Sequence, residues 1–373
     1  MAIKGIELLP PNVSEKEAIK ILAMVSRIGE KVSRLSAEFS HSVVNENFIS
    51  ILSYNESVQS TRIEGTQVTF TDVLEEKNKA NPRWEVQEVI NYNRALSEGV
   101  SLLKNGYPIS SRLITDLHSI LMSGARGATG GKGSFRKIQN FIGPNNKIED
   151  AIYIPIAANE ISEYMSNLEH YINGSKHFSF KNYKNGYTFD ENSHPLIRAA
   201  IVHVQFESIH PFLDGNGRLG RILIILNLLN DKMIDFPCFF VSEELEKERE
   251  RYYDLLNGVR GNDPDWFSWI SFFLKSCDRM ADSLLKKLQS ANRLARDGVS
   301  QLNLSSEKQI WLLSFSEPLL TVNEATKLSG LSDQTVRLAL TKLVELDLLY
   351  TEKSVKRNRK YRNYDLMRIL SDS

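Results

Sequence analysis

A stretch of helical length that is apolar nearly all round has to sit at the centre of a fold, because no face of it belongs in water. Gly217 to about Asn230 (GRLGRILIILNLLN) is such a stretch. The segment before it, Pro195 to Ile209, places Leu196, Ala199, Ala200, His203, Phe206 and Ile209 on one helical face. Pro211 ends that helix, since a residue preceding proline is pushed out of the α region. A short loop therefore links two helices, the second of them central and buried.

The rest of the chain is read as mainly α. Residues 14–65 carry Ile19, Leu22, Val25 and Ile28 at helical spacing with no competing strand alternation, so they form a helical arm. Further helices are predicted over Trp84–Leu103, Ser111–Met122, Glu243–Val259 and Asp265–Ala295. Five glycines between Gly124 and Gly133 make a loop. Phe135–Ile142 and Ala151–Ile156 flank Gly143-Pro144-Asn145-Asn146 and predict a small β-hairpin. Near the end, Thr321-Val-Asn-Glu324 is a capping box, Gly330 a turn, and Ser332 the cap of a helix over Asp333–Glu345. Two strand-like runs, Leu348–Thr351 and Lys360–Tyr364, bracket a basic tip, which together predicts a winged helix-turn-helix. The polar stretch Arg296–Ser306 reads as the linker. The expected division is a helical N-terminal region (1–105), a core (106–295) and the winged module (300–373).

Composition narrows the class. Apolar residues at 42% and charged residues at 25% over 373 positions describe a globular chain of two or three domains. With 46 Lys+Arg against 46 Asp+Glu, the surface as a whole is no nucleic-acid glove, although a local basic patch is compatible. Cys238 and Cys277 are too few for a disulfide framework or a zinc site, which points to a reducing compartment. The start lacks an uninterrupted apolar run, and Ile222–Leu229, broken by Asn227, is far short of the ~20 residues of a membrane span. A cytoplasmic protein without membrane contact is expected.

The densest chemistry lies in His210-Pro-Phe-Leu-Asp214-Gly215-Asn216-Gly217-Arg218-Leu-Gly220-Arg221. Gly, Asn and Gly tolerate positive φ, so the loop can turn its amides to one side as an anion nest that feeds a helix N-terminus. Arg218 and Arg221 have the wrong sign for that end of a helix dipole, at a cost of ~0.3–1 kcal/mol each, unless an anion or carboxylate completes the site. A polyphosphate fits. Asp214 suffices for Mg²⁺, which takes one or two carboxylates plus substrate phosphates. His210 titrates near neutrality and can take a proton. The kit is that of phosphoryl or nucleotidyl transfer.

Three other patterns are set aside. Gly215-Asn-Gly217-Arg-Leu-Gly220 matches G-x-G-x-x-G, but a helix precedes it and no βαβ unit surrounds it. Lys132 is followed by Gly133 and position 126 is Arg, so the glycine-rich loop is not a P-loop. His203, Glu207 and His210 fall at i, i+4, i+7, yet Pro211 displaces His210 and no second metal motif exists; His203 reads as a core residue.

Residues 210–221 match the signature H-x-F-x-D/E-G-N-G-R-x-x-R throughout, and the chain thereby resembles the Fic family. The resemblance implies a mostly helical core with a β-hairpin flap, and transfer of AMP from ATP to a hydroxyl of a protein side chain with release of pyrophosphate. It implies His210 as the base and Asp214 as the Mg²⁺ ligand. Gly215, Asn216, Gly217 and Arg218 would hold the phosphates and Arg221 the γ-phosphate. Tyr252 and Tyr253 stand where related proteins contact adenine, with plain helix packing as the competing reading. Ser60-Thr-Arg-Ile-Glu64-Gly65 fits the inhibitory motif S/T-x-x-x-E-G/N of one class of the family, in which Glu64 would pair with Arg221 and take the place of the γ-phosphate. Phe135, Arg136 and Ile138 resemble the flap that aligns a target segment, against the reading of a merely structural hairpin.

In the last module Ser332, Gln334, Thr335 and Arg337 lie early in the recognition helix, and Lys353, Lys356, Arg357, Arg359, Lys360 and Arg362 form the basic tip. DNA binding and protein docking suit such a module equally. The sequence thus predicts an Mg²⁺- and ATP-dependent protein adenylyltransferase restrained by Glu64 and acting on a hydroxyl-bearing protein, itself included, with a homodimer left open. A nucleotide-sensing DNA-binding regulator and an AMP-removing enzyme using the same site are the alternatives.

Overall fold

The computed structural model describes residues 2–124, 131–145, 147–174, 186–352, 354 and 358–371. Fifteen α-helices stand among these: α1 (Glu15–Ser40), α2 (Asn45–Ile63), α3 (Phe70–Glu76), α4 (Trp84–Lys104), α5 (Ser111–Leu121), α6 (Ile161–Asn173), α7 (Pro195–Ile209), α8 (Asn216–Asn230), α9 (Ser242–Lys247), α10 (Arg249–Val259), α11 (Trp266–Ser300), α12 (Ser305–Leu313), α13 (Val322–Ser329), α14 (Asp333–Glu345) and α15 (Tyr364–Ser371). Local chemistry starts many of them. Ser14 and Glu17 close a capping box on α1, Thr69 and Asp72 on α3, and Thr321 and Glu324 on α13. Ser110 and Ser332 cap α5 and α14, and Pro195 opens α7.

Helices α7 and α8 are buried almost end to end and pack on each other, with α4, α5, α6, α10 and α11 around them. Strands are two-residue pieces. β1 (Ile3–Lys4) pairs in parallel with β3 (Tyr153–Ile154), and β2 (Asn12–Val13) runs antiparallel to β4 (Tyr187–Thr188).

Several expectations need correction. The helical arm is two helices, broken at residues 41–44, where Asn292 Oδ1 accepts from the Ser42 hydroxyl and the Val43 N–H. The predicted helix over 243–259 breaks at Glu248 into α9 and α10. The hairpin over 135–156 shrinks to one antiparallel bridge, Ile142 to Tyr153, because side chains rather than a ladder take the backbone carbonyls: Arg136 reaches Ile138 and Ile156, and Gln139 reaches Pro155. Asn146 of its turn lies outside the described residues.

The stretch expected to be a linker is not one. α11 continues through Arg296 to Ser300, and the following helix docks directly on it. Trp311 donates its indole N–H to Ala295 O at 3.0 Å and lies against Gly298, where a Cβ would overlap the ring. Trp311 is fully buried and meets Phe315 edge-on. Trp311→Ala is therefore expected to cost about 3–5 kcal/mol of stability, read from denaturant unfolding, with a change under 1 kcal/mol counting against this packing. Beyond it, β5 (Leu319–Leu320), β7 (Tyr361–Arg362) and β6 (Tyr350–Thr351) form a three-stranded sheet beside α13 and α14. β5 and α15 were not foreseen. Lys353, Lys356 and Arg357 of the basic tip lie outside the described residues.

Among the described residues, no helix is long and apolar enough to cross a membrane.

Candidate active site

The loop between α7 and α8 is fixed from three sides. His210 caps α7 in the left-handed region (φ 49°) and Gly215 precedes α8 in the same region (φ 79°). Asn216 folds its amide back on the loop, accepting from Phe212 N–H at 3.0 Å and donating to Phe212 O at 2.9 Å. The buried Arg136 guanidinium donates to His210 O at 3.0 Å, and Arg136 N–H donates to Pro211 O at 2.8 Å. On the third side stands His118 of α5. Its Nδ1 accepts from Gly133 N–H, so Nε2 carries the hydrogen and donates to Asp214 O, both at 3.0 Å. Its ring stacks on Phe212 at 3.7 Å and 9°. Burial lowers its pKa, which keeps this ring neutral.

His210 is poised differently. Its Nδ1 lies 3.3 Å from Glu207 O, an acceptor, which places the ring hydrogen on Nδ1 and leaves Nε2 with a free lone pair. Burial, with Arg260 and Arg136 nearby, pushes its pKa down to about 4. The ring borders a cavity of about 750 Å³ with Glu64, Ile138, Glu207, Gly217, Tyr253 and Arg260.

The two arginines at the start of α8 find carboxylates, as their position requires. Arg221 is 1% exposed and donates to Glu64 Oε1 at 2.6 Å, to Ser60 O at 2.8 Å and to Ser60 Oγ at 2.7 Å. Glu64 sits at the end of α2, where Gly65 (φ 93°) turns the chain, and its carboxylate rests on Gly217 so closely that a Cβ there would overlap it. Burial opposes ionisation of Glu64, but Arg221, Arg218 and His210 outweigh it and hold its pKa below the ordinary range. Arg218 lies 3.3 Å from Glu88 Oε1 and 3.5 Å from Asp214 Oδ1. Ser60, Glu64, Gly217 and Arg221 are thus brought together across 157 residues of sequence separation. Asp214 keeps a 63% exposed side chain, with Oδ1 accepting from Gly215 N–H at 2.6 Å.

Other predicted residues take different places. Tyr252 is buried, and its hydroxyl meets His203 Nε2 at 2.9 Å, so its polar end belongs to the core while it also lines the cavity. Tyr253 donates to Ile63 O at 3.2 Å, tying the cavity wall to the turn that carries Glu64. Phe135 packs on Phe212, Ile138 is exposed at the rim, and Arg136 faces inward and donates to backbone carbonyls. Sequence reasoning missed His118, Glu88 and Glu56. Glu56 is buried in α2, where Tyr92 and Ser242 donate to it and anchor the helix.

Residues 22–101 match the N-terminal model of the Fic/DOC family and residues 108–228 match the Fic/DOC family model, together more than half of the chain. The chain belongs to the Fic/DOC family. Curated Fic relatives include the protein adenylyltransferase Fic of Drosophila grimshawi, 24% identical over 231 residues, 61% of this chain and 41% of that protein. That of Aedes aegypti is 27% identical over 153 residues, 41% of this chain and 25% of that protein. This chain therefore spans less than half the length of these relatives. Among solved structures, a Fic family protein from Desulfovibrio desulfuricans G20 covers 95% of this chain and 98% of its own at 21% identity and a TM-score of 0.56. Fic-1 from C. elegans covers 74% and 76% at 20% identity and a TM-score of 0.54. The Fic fold is shared.

Four buried groups of this Fic site set opposing pH dependences. Burial pushes Glu56 and Glu207 up to about 7 from an ordinary 4.5, and pushes His203 and His210 down to about 3 and about 4 from 6.5. Each carboxyl gives stability that is full below 4.5 and lost as pH rises through about 7. Each imidazole gives stability that is full above 6.5 and lost as pH falls through its folded value. Between 4.5 and 6.5 the two pairs oppose each other, so Tm is expected to stay nearly level there and to fall below pH 4.5. A steady fall beginning at pH 6.5 would mean that the two carboxyls stay ionised.

Proposed function

We propose that this chain is a protein adenylyltransferase that moves AMP from ATP to a hydroxyl of a protein side chain, releases pyrophosphate, and is restrained in cis by Glu64. The observation that carries the reading is one cavity bordered by a base, a helix N-terminus and a carboxylate clamped on Arg221. At about 750 Å³ it has the size of a small-molecule site. The relatives named protein adenylyltransferase support the same chemistry.

His210 Nε2 takes the proton as the target oxygen bonds to the α-phosphorus and the bond to pyrophosphate breaks. The amides at the start of α8 and Arg218 neutralise charge on the phosphates. Asp214, a carboxylate with one oxygen engaged by the loop, would hold Mg²⁺, which would supply further charge neutralisation on the phosphates. Arg221 receives the γ-phosphate when Glu64 leaves it. While Glu64 stays, a negative carboxylate occupies the place a negative phosphate needs, and the α-phosphorus is misplaced.

Incubation with α-labelled ATP and Mg²⁺ tests this, with label followed in protein. Weak labelling of wild type, stronger labelling of Glu64→Gly and none of His210→Ala are expected. Equal labelling of the two variants would refute the mechanism.

A second activity, DNA binding by the C-terminal elements, is favoured by the exposed start of α14. Ser332, Gln334 and Arg337 are exposed there, beside a polar cavity of about 490 Å³ lined by Thr321, Asn323, Arg337, Asn358 and Arg359. Salt-dependent duplex binding, with the salt slope reduced by about 1 in Arg337→Ala, is the expected result. Binding indifferent to salt and to Arg337 would exclude it.

A further inference from the structure

The last carbonyls of a helix have no partner within it, and a buried helix end must find partners elsewhere. At the end of α7 they are met one by one. Glu207 O accepts from Arg260 Nη2 at 3.3 Å and Ser208 O from the Tyr153 hydroxyl at 2.6 Å. The next three carbonyls all turn to residue 136. Its guanidinium donates to Ile209 O at 3.5 Å and to His210 O at 3.0 Å, and its backbone N–H donates to Pro211 O at 2.8 Å. Ile209 O and His210 O belong to the two peptide planes that His210 joins. One guanidinium thus fixes both planes, and with them the φ and ψ of His210. That conformation needs fixing, because His210 is left-handed (φ 49°), which residues other than glycine adopt only where their surroundings over-determine it.

The same guanidinium reaches in a second direction. Nη1 donates to Ile138 O at 3.1 Å and Nη2 to Ile156 O at 2.6 Å. These carbonyls flank residues 138–145 and Ile152, which line the cavity together with His210. Arg136 is 4% exposed, so its donors are committed to this junction. The task suits an arginine. A guanidinium offers five N–H groups in a rigid plane, whereas a lysine ammonium is a point donor that cannot span carbonyls on two sides.

We propose that Arg136 is a positioning residue for the transfer, holding the His210 imidazole and the cavity wall flanked by Ile138 and Ile156 at a fixed separation. A hydroxyl that reaches Nε2 through this cavity comes between the ring and that wall, so their separation sets its approach to the base. The proposal rests on the reading of His210 as the base and adds a residue that acts only through it. Misplacement of reacting groups by about 1 Å can cost 10²-fold in rate.

The test uses full-length Glu64→Gly protein, alone and combined with Arg136→Lys or Arg136→Gln, each also with His210→Ala. Single-turnover AMP incorporation and the Kd for ATP are measured in all. Arg136→Lys keeps the charge and loses the fork, and is expected to lower the rate about 10²-fold with the Kd for ATP within threefold. With His210→Ala no base is left to position, so the same exchange should change the residual rate less than threefold. Arg136→Gln should repeat the pattern, so one folded variant suffices. Equal falls with and without His210, or a rate loss matched by lost ATP affinity, is what a merely structural arginine gives, and either overturns the proposal. So does an unchanged rate in Arg136→Lys. If His210→Ala leaves incorporation intact, the base reading itself fails; if His210→Ala abolishes it while Arg136→Lys does not lower it, only the role of Arg136 is lost.

Discussion

Removing the imidazole in His210→Ala, in a background freed of Glu64, is expected to lower AMP incorporation by about 10²–10⁴-fold, the range for loss of a positioned general base. The geometry makes this a clean experiment. Glu207 O holds the Nδ1 hydrogen, so Nε2 already carries the lone pair, and the depressed pKa keeps it unprotonated at neutral pH. The loop does not depend on this ring for its shape, because Arg136, Asn216 and His118 grip its backbone. Nucleotide affinity should then stay within a few-fold while the single-turnover rate collapses. A variant that keeps a tenth of the rate, or that loses ATP binding in parallel, would assign the proton to another group.

The opposite change is expected from Glu64→Gly, a rise of about 10–100-fold in the initial rate. A charge-assisted hydrogen bond contributes about 1.5–3 kcal/mol, and a nucleotide that must displace it forfeits that amount. The Glu64 side chain is 34% exposed, so solvent screening holds the effect toward the lower part of that range. Arg221 stays in place without it, since Ser60 still accepts from its Nε and Nη2. Glu64→Gln, which keeps the shape and loses the charge, should give a smaller rise. No change in rate in either variant would remove Glu64 from any inhibitory role.

The parts of this molecule that were legible beforehand share one property: their signals are local. The turn from α7 to α8 is written in twelve consecutive residues, and the caps of α13 and α14 in four residues each. What stayed hidden depends on pairing between distant segments. Ile3–Lys4 against Tyr153–Ile154 leaves no periodicity to detect in two residues. Arg136 looked like a surface arginine of a flap, and only the fold shows four carbonyls converging on it. His118 and Glu88 are single polar residues on their helices, and nothing nearby announces that His118 clamps the loop at Asp214 or that Glu88 meets Arg218 at the start of α8. Arg296–Ser306 misled for the converse reason. Its polar composition resembles a linker, while Ala295 and Gly298, the small residues that seat Trp311, are too sparse to register.

The continuous run of α11 bears on how this protein can be dissected. Cutting the chain after Ser300 would strip the indole from its berth beside Ala295 and Gly298 and would sever the Lys77–Glu317 bridge and the Asn78–Glu324 hydrogen bond to the N-terminal half. A shortened protein that lost activity would then report an opened core and a loosened amino-terminal arm, whatever the removed portion does. Exchanges confined to the outer surface of α14, such as Gln334 or Arg337, leave those seams closed and separate the two questions.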